Sequence, residues 1–274
     1  MNSINHDIHT KYMEKKDHKW YNSECKTGGF MRALITGASS GIGRELAIRL
    51  AEKNYDLILI ARREDRLKEI QSLFPNQDIH IFSVDLSNQD QVSKLLHSIE
   101  PYTIDLFINN AGFGIVKYSS DIEDDLELNM IDLNIKTLHR LTKFAIQHMT
   151  EGKIVNLSSM AAYLPTPLLA SYAATKYYVR AYSEALNYEL KKQEKNISVL
   201  TVTPGPIETE FGKVSGMTLK GMPVKTCVNH ILKGIEKNKA VITPGFQMKI
   251  LKFFIRFIPR KLLLSISYKI QKKK

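Results

Sequence analysis

Short apolar runs alternate with amphipathic, helix-like stretches along most of the chain, and this alternation constrains the fold more than any other feature. Runs rich in Val, Ile and Leu that alternate with helices are typical of a parallel sheet covered by helices on both faces. A βα barrel would carry about eight such repeats, and only six are clear. The sequence therefore predicts an α/β fold built on a doubly wound parallel sheet. The six runs occupy residues 33–36, 56–61, 79–85, 104–112, 153–159 and 197–205.

Composition divides the 274 residues into three parts. Residues 1–30 are polar and lack a hydrophobic period, so we predict a disordered extension. Residues 31–245 form the predicted α/β domain, in which residues 210–225 combine Met and Phe with Gly and are expected to be a mobile substrate lid. Residues 246–274 form a basic amphipathic tail. No apolar run reaches the roughly 18 residues that a spanning helix needs, so no helix is expected to cross a membrane.

The formal net charge of +11 arises from the end of the chain alone. After Glu236 there are eleven Lys or Arg residues and no acidic residue, whereas the first 236 residues carry 28 basic and 28 acidic side chains. A basic excess confined to one short segment argues against nucleic acid as a partner. Two cysteines, Cys25 and Cys227, have no CxxC spacing, which favours a reducing, cytoplasmic location. The eight histidines show no metal-binding spacing, so no metal site is predicted.

A glycine-rich turn follows the first apolar run and precedes the first helical stretch. Glycines at this place let the backbone approach a pyrophosphate, whose charge is favoured at the N-terminus of the next helix. The spacing is GxxxGxG rather than the general GxGxxG. We therefore predict a dinucleotide-binding turn made of Gly37, Ser39, Ser40, Gly41, Ile42 and Gly43.

The residues after the second apolar run favour NADP (NADPH) over NAD. A site for the 2′-hydroxyl of NAD carries Asp or Glu there, whereas this chain has Arg62 and Arg63. A guanidinium suits a 2′-phosphate through forked, charge-assisted hydrogen bonds, and we assign that contact to Arg62. Arg63 also fits the start of a solvated helix with Glu64. Asp85 and Leu86, which close the third run, are expected beside the adenine ring.

The stretch KIVNLSSMAAYLPTPLLASYAATK (residues 153–176) brings reactive side chains together. Tyr172 and Lys176 are four residues apart and share one face of a predicted helix. Ser158 and Ser159 follow the preceding apolar run. A nearby ammonium is expected to lower the pKa of the phenol toward a range useful for acid–base catalysis.

Four motifs, TGASSGIG, NNAG, YAATK with a serine thirteen residues before its tyrosine, and PGPIETEF, occur in this order within residues 32–245. In this combination the chain resembles the short-chain dehydrogenase/reductase family, in particular bacterial members near its hydroxysteroid and 3-ketoacyl reductases. The resemblance implies a single Rossmann-fold domain, a nicotinamide cofactor, and an oxidoreductase that interconverts a carbonyl and a secondary alcohol. It also implies a homo-oligomer, a dimer or tetramer, packed through the helices at 121–149 and 171–193.

The resemblance assigns roles to the residues that match the family's motifs. Tyr172 is the proton donor or acceptor, and Lys176 binds the nicotinamide ribose. Ser159 binds the substrate oxygen, with Ser158 in support, and Asn134 holds a water in the proton relay. The apolar residues between Met160 and Ala170 are expected to form a wall of the pocket, which indicates a lipophilic substrate. The remaining matches are expected at the cofactor, namely Asn110, Ala111, Gly112, Pro204, Gly205, Ile207 and Thr209.

The tail permits two interpretations. Its basic residues recur at helical spacing, at 249, 252, 256 and 260, and apolar side chains cover the other face until Pro259 interrupts the pattern. A basic, aromatic amphipathic helix suits a membrane interface with anionic lipid, which would give peripheral contact at the inner membrane surface. The apolar face equally suits packing on the substrate lid or on a second subunit. A non-catalytic NADPH sensor that docks through this tail is the alternative to the enzyme.

Overall fold

The structure, a computed structural model, describes residues 31–215 and 221–272. The predicted extension 1–30 and residues 216–220 of the predicted lid lie outside the described residues. The strands are β1 (Arg32–Thr36), β2 (Asp56–Ala61), β3 (Ile79–Ser83), β4 (Leu106–Asn109), β5 (Glu151–Leu157), β6 (Asn196–Val202) and β7 (Val241–Ile242). The helices are α1 (Gly41–Ala51), α2 (Glu64–Leu73), α3 (Gln89–Ile99), α4 (Asp124–Ile131), α5 (Leu138–His148), α6 (Ala170–Lys192), α7 (Glu210–Val214), α8 (Val224–Glu236), α9 (Phe246–Ile255) and α10 (Arg260–Lys272).

The described strands form one parallel sheet in the order β3-β2-β1-β4-β5-β6-β7. The prediction of a doubly wound parallel α/β sheet is confirmed. The chain first winds outward from β1 to β3 and then returns to the other side of β1 with β4. Ligands of such sheets bind at this reversal, in the crevice beyond the carboxyl ends of the strands.

Two hydrophobic cores, one on each face of the sheet, hold the helices in place. Successive side chains of a strand point to opposite faces, so Leu34 of β1 packs in one core while Ile35 packs in the other. Helices α1 and α8 contribute Leu46 and Ile231 to the core that holds Ile35, and α5 contributes Leu141 to the core that holds Leu34. The continuous apolar strands of the sequence are therefore explained by burial on both faces.

Several boundaries differ from the sequence-based expectation. The third, fourth and sixth runs are shorter as strands, because the chain leaves the sheet after Ser83, Asn109 and Val202 and turns into loops. A seventh unit, α8 followed by β7, was not anticipated, because a strand of two residues carries almost no periodic signal. The predicted lid (210–225) begins with α7, and its last two residues are the first two of α8, which starts at Val224.

A buried chain of side-chain hydrogen bonds joins β4, β5 and α6. Asn109 and Asn156 are paired across the two strands, and Asn109 Nδ2 donates to Asn156 Oδ1 at 2.8 Å and to Thr142 Oγ1 at 3.1 Å. Asn156 Nδ2 in turn donates to Ser183 Oγ at 2.9 Å. The asparagine side chains therefore bridge the neighbouring ends of β4 and β5.

Asn156→Ala is expected to destabilise the protein by about 2–3 kcal/mol, because Asn109 Nδ2 and Ser183 Oγ each lose a buried hydrogen-bond partner. Urea unfolding of the full chain measures the free energy of unfolding. Asn76→Ala, a change at an exposed asparagine, serves as the control. Equal losses in the two variants would contradict a stabilising role for the buried chain.

Candidate active site

A cleft of about 660 Å³ lies beyond the carboxyl ends of the central strands. It collects residues from the turn after β1, the loops after β2 to β6, and the two C-terminal helices. Nearly every predicted site residue lines this cleft. The exceptions are Gly43 and Asn134, which lie directly behind its wall.

The glycine-rich turn passes so close to the end of β4 that no side chain fits. Gly37 has a φ of +66°, a left-handed conformation that favours glycine. A Cβ on Gly43 would lie 2.3 Å from Gly37 O and 2.4 Å from Asn110 Nδ2. Ser40 precedes α1 without capping it through its side chain, so the first N–H groups of α1 receive no bond from that hydroxyl. Such a helix N-terminus favours an anionic group.

Hydrogen bonds between the ends of β1 and β4 hold this turn. Asn110 Nδ2 donates to Thr36 O at 2.9 Å and to Gly37 O at 3.2 Å. The Thr36 hydroxyl accepts from the backbone N–H groups of Asn110 and Ala111 at 2.9 and 3.0 Å. The NNAG motif therefore does more than end a strand, because its second asparagine fixes the glycine-rich turn. Gly112, the last residue of the motif, lines the cleft beside Lys176 and Asn134.

Arg62 and Arg63 both line the cleft, at the end of β2. Arg63 directly precedes α2, as the helix-start interpretation expected, and it also has partners across the cleft. Its guanidinium donates to Ser39 Oγ at 3.3 Å and to the Glu210 carboxylate at 2.9 Å. The same contact with Arg63 lowers the pKa of Glu210. Arg63 thus joins the glycine-rich turn to α7 across the cleft, a link between distant segments that has no local sequence signal.

Asp85 and Leu86 lie on the opposite side of the glycine-rich turn from the reactive tyrosine and also line the cleft, with Ser87. Asp85 Oδ1 accepts hydrogen bonds from the backbone N–H and the hydroxyl of Ser87, at 3.0 and 2.7 Å. The carboxylate is thereby oriented by its own loop. Four predicted residues after β6 line the cleft as well, namely Pro204, Gly205, Ile207 and Thr209.

Ser159, Tyr172 and Lys176 meet at the floor of the cleft. The Ser159 hydroxyl hydrogen-bonds the Tyr172 phenol and accepts from Ala161 N at 3.1 Å. Lys176 Nζ donates to Leu157 O at 3.0 Å and lies 5.7 Å from the centroid of the Tyr172 ring. Ser158 is turned away, since its hydroxyl donates to Lys176 O at 2.7 Å.

The expected effect of Lys176 on the phenol is not found in this structure. Burial raises the pKa of Tyr172 to about 12, although the hydrogen bond with Ser159 acts in the opposite direction. Burial also lowers the pKa of Lys176 to about 8. Both shifts have the same cause, because an apolar environment penalises the charged form of each group. The prediction of a lowered tyrosine pKa was therefore wrong, since it counted the neighbouring charge and omitted burial.

Asn134 lies in a π-helical segment, Asp132–Thr137, between α4 and α5, rather than in the continuous helix that was expected over 121–149. Its side chain is fully buried; Nδ2 donates to Phe113 O at 2.8 Å, and Oδ1 accepts from Phe113 N at 3.1 Å. π-Bulges are frequent at functional sites. Here the bulge accompanies a side chain that holds the loop after the NNAG motif.

The outer part of the cleft is apolar. Residues of the predicted wall line it, including Met160, Leu164 and Leu169, and Phe211 of α7 lies 5.7 Å from Tyr172 between ring centroids. The sequence did not anticipate the contribution of the tail. Helices α9 and α10 line the outer cleft with Leu251, Ile255, Ile258, Leu263, Ile266 and Ile270.

Direct contacts attach the tail to the domain. Lys252 Nζ lies 4.7 Å above the Tyr163 ring, and the hydroxyls of Tyr118 and Tyr268 are 2.7 Å apart. One face of the tail therefore packs on the substrate side of the cleft, as the packing interpretation expected in part. Within the described residues, no helix combines the length and the apolar character needed to cross a bilayer.

Comparison with known proteins agrees with this geometry. The model of the short chain dehydrogenase family matches residues 31–219. A very-long-chain 3-oxoacyl-CoA reductase of Mycosarcoma maydis is 28% identical and aligns over 86% of this chain and 72% of its own. An uncharacterized oxidoreductase of Staphylococcus saprophyticus is 36% identical over 65% of this chain and 74% of its own. A short-chain dehydrogenase from Sphingobium yanoikuyae, solved in complex with NADPH, superposes with a TM-score of 0.75 at 28% identity, over 83% of this chain and 94% of that one.

The family match covers more than half of the chain, and the fold, the glycine-rich turn and the Ser159–Tyr172–Lys176 group all agree with it. The chain belongs to the short-chain dehydrogenase/reductase family and is an NAD(P)-dependent oxidoreductase.

Proposed function

We propose that this enzyme uses NADP(H) to interconvert a carbonyl and a secondary alcohol on a lipophilic substrate. The observation that carries the proposal is the position of Ser159, Tyr172 and Lys176, which lie where the polar inner cleft meets its apolar outer part. Oxidation of NADPH with a panel of ketones and aldehydes of increasing apolar size tests it. Turnover that rises with apolar size is expected, and no turnover with any member would contradict the proposal.

The inner cleft fits a nicotinamide dinucleotide. The turn that leaves no room for a Cβ, the N-terminus of α1 and the paired arginines are the features that a pyrophosphate and a 2′-phosphate require. The neighbour from Sphingobium yanoikuyae, described with NADPH, supports the same choice. When bound, such a cofactor donates a hydride to the carbonyl carbon or accepts one from the alcohol.

In the reducing direction, Tyr172 donates its proton to the substrate oxygen. The phenol is fully protonated near neutral pH, because burial holds its pKa near 12. Ser159 stabilises the charge that develops on the same oxygen by donating a hydrogen bond. Lys176 holds the ribose as an ammonium, and Asn134 supports the loop beside it. In the oxidising direction only the phenolate of Tyr172 can accept the proton of the alcohol, so the phenol must first lose its own proton.

Two broader features belong to this proposal. A homo-oligomer packed through α4, α5 and α6 is supported by exposed large side chains on α4 and α6, namely Leu126, Leu128 and Tyr188. A cytoplasmic location is supported by Cys227, which is a free, buried thiol.

Tyr172→Phe is expected to lower kcat by about a hundredfold to ten-thousandfold, because the proton donor is lost, while NADPH binding is retained. Steady-state kinetics and fluorescence titration with NADPH measure the two quantities. Tyr188→Phe on the same helix is the control, since that side chain is exposed and distant from the cleft. A Tyr172→Phe variant that kept its turnover would remove the assigned role, and the NADPH sensor would then become the better explanation.

NADPH binding is expected to weaken as the pH rises through about 8. Lys176 keeps its ammonium below its pKa of about 8 and loses it above, so the Kd for NADPH should rise by up to about tenfold per pH unit there. Fluorescence titration at a series of pH values measures this change. Lys176→Arg stays charged throughout and should flatten the profile. A wild-type Kd that is the same on both sides of pH 8 would contradict the assignment.

Arg62→Ala and Arg63→Ala should each weaken NADPH binding by about tenfold or more, because a guanidinium that pairs with a 2′-phosphate is lost. NADH lacks that phosphate, so its affinity should change much less. Arg66→Ala, on the outer side of α2 and absent from the cleft lining, is the control. Equal losses of affinity for NADPH and NADH would show that neither arginine binds the 2′-phosphate.

A further inference from the structure

Helix α9 exposes a continuous apolar face that no other described residue buries. Phe246, Ile250, Phe253, Phe254 and Phe257 are all exposed, and Phe246 and Phe257 are exposed by 74% and 66%. The first four recur at spacings of four, seven and eight residues from Phe246, which places them on one side of α9, and Phe257 lies in the turn that follows the helix. We call this face the aromatic stripe.

The aromatic stripe is separate from the contacts that hold α9 on the domain. The residues of α9 that line the cleft, Leu251 and Ile255, lie on the other side of the helix, and Ile255 is buried. The ring of Phe253 packs edge-on against those of Phe254 and Phe257 at 5.3 and 5.4 Å, and all three residues are exposed. A contiguous exposed apolar patch of this kind marks an interaction surface.

The charge beside the aromatic stripe identifies its partner. Residues 246–274 contain nine Lys or Arg residues and no Asp or Glu. Lys249, Arg256 and Arg260 form a second row along α9 and into α10, which we call the basic row, and Lys252 beside it lies over the Tyr163 ring. The Arg256 guanidinium lies 5.3 Å from the centroid of the Phe253 ring. No carboxylate among the described residues forms an ion pair with any of these four cations. An anionic surface with an apolar interior beneath it complements both the aromatic stripe and these basic residues.

The mouth of the cleft opens on the same part of the molecule. Leu251, Ile266 and Ile270 line the cleft and are also exposed at the surface. A partner that covers α9 and α10 therefore lies next to the entrance of the apolar outer cleft.

We propose that α9 and α10 dock the enzyme on an anionic lipid bilayer, with the aromatic stripe in the boundary between headgroups and acyl chains and the basic row on the lipid phosphates. Docking in this orientation brings the mouth of the cleft to the bilayer surface, from which a lipophilic substrate can enter without crossing water. The docking itself requires no turnover, so it can be tested independently of the proposed reaction.

Vesicle co-sedimentation of the full chain tests this docking, with phosphatidylcholine vesicles compared with phosphatidylcholine/phosphatidylglycerol vesicles. The wild type should sediment with the anionic vesicles and much less with the neutral ones, and added salt should weaken the binding. Phe253→Ser/Phe257→Ser should reduce the affinity for anionic vesicles by about tenfold or more. Lys249→Gln/Arg256→Gln should remove most of the preference for anionic lipid.

Matched variants control for loss of an exposed apolar side chain and for loss of charge. Leu73→Ser and Lys94→Gln/Lys143→Gln alter exposed positions outside the tail and should sediment as the wild type does. Thermal unfolding of each variant shows that it is folded. Unchanged sedimentation of Phe253→Ser/Phe257→Ser would overturn the proposal. So would light scattering that showed a wild-type oligomer which this variant dissociates, because the aromatic stripe would then be a subunit interface.

Discussion

The contact between Asn110 and Thr36 ties together the ends of the two central strands, and the geometry of the cleft depends on it. Four hydrogen bonds connect the turn after β1 with the start of the loop after β4. The turn cannot shift relative to β4 without breaking them, and it carries the N-terminus of α1. These hydrogen bonds therefore hold the N-terminus of α1, which favours anions, at the point where the strand order of the sheet reverses. The absence of a Cβ at Gly43 is a condition for that closeness rather than an incidental property of a turn.

At the other end of the cleft, burial determines the pKa values of Tyr172 and Lys176. Gly114 packs against the Tyr172 ring, and Leu169 and Met130 belong to the same apolar cluster as that ring. The apolar walls of the pocket raise the pKa of Tyr172 and lower that of Lys176. The protonation states of the two groups thus share one physical cause. A more polar wall would change both pKa values at once, whatever residue carried the polarity.

Local pattern was sufficient to predict the sheet, the glycine-rich turn and the pairing of Tyr172 with Lys176, because each depends on periodicity or on residues close in sequence. The family resemblance selected Ser159 as their partner. What local pattern missed depends on contacts between distant segments. Two adjacent arginines look alike in a sequence, and only the approach of α7 shows that Arg63 bridges Ser39 and Glu210. The pKa of Tyr172 is raised because residues such as Phe211, which are far away along the chain, help to bury its ring. The tail's place over the cleft is equally a tertiary property.

The cleft draws its two parts from opposite ends of the chain. Its polar part comes mainly from the loops after β1 to β5, whereas much of its apolar part comes from α9 and α10, which follow Gly245 at a φ of +83°. Neither of these helices contains a residue of the reactive group. Mutations that accumulate in the last two helices can therefore alter which molecules are accepted while the reaction itself is conserved. Within this architecture, the residues of α9 and α10 that line the outer cleft can change without altering Ser159, Tyr172 or Lys176.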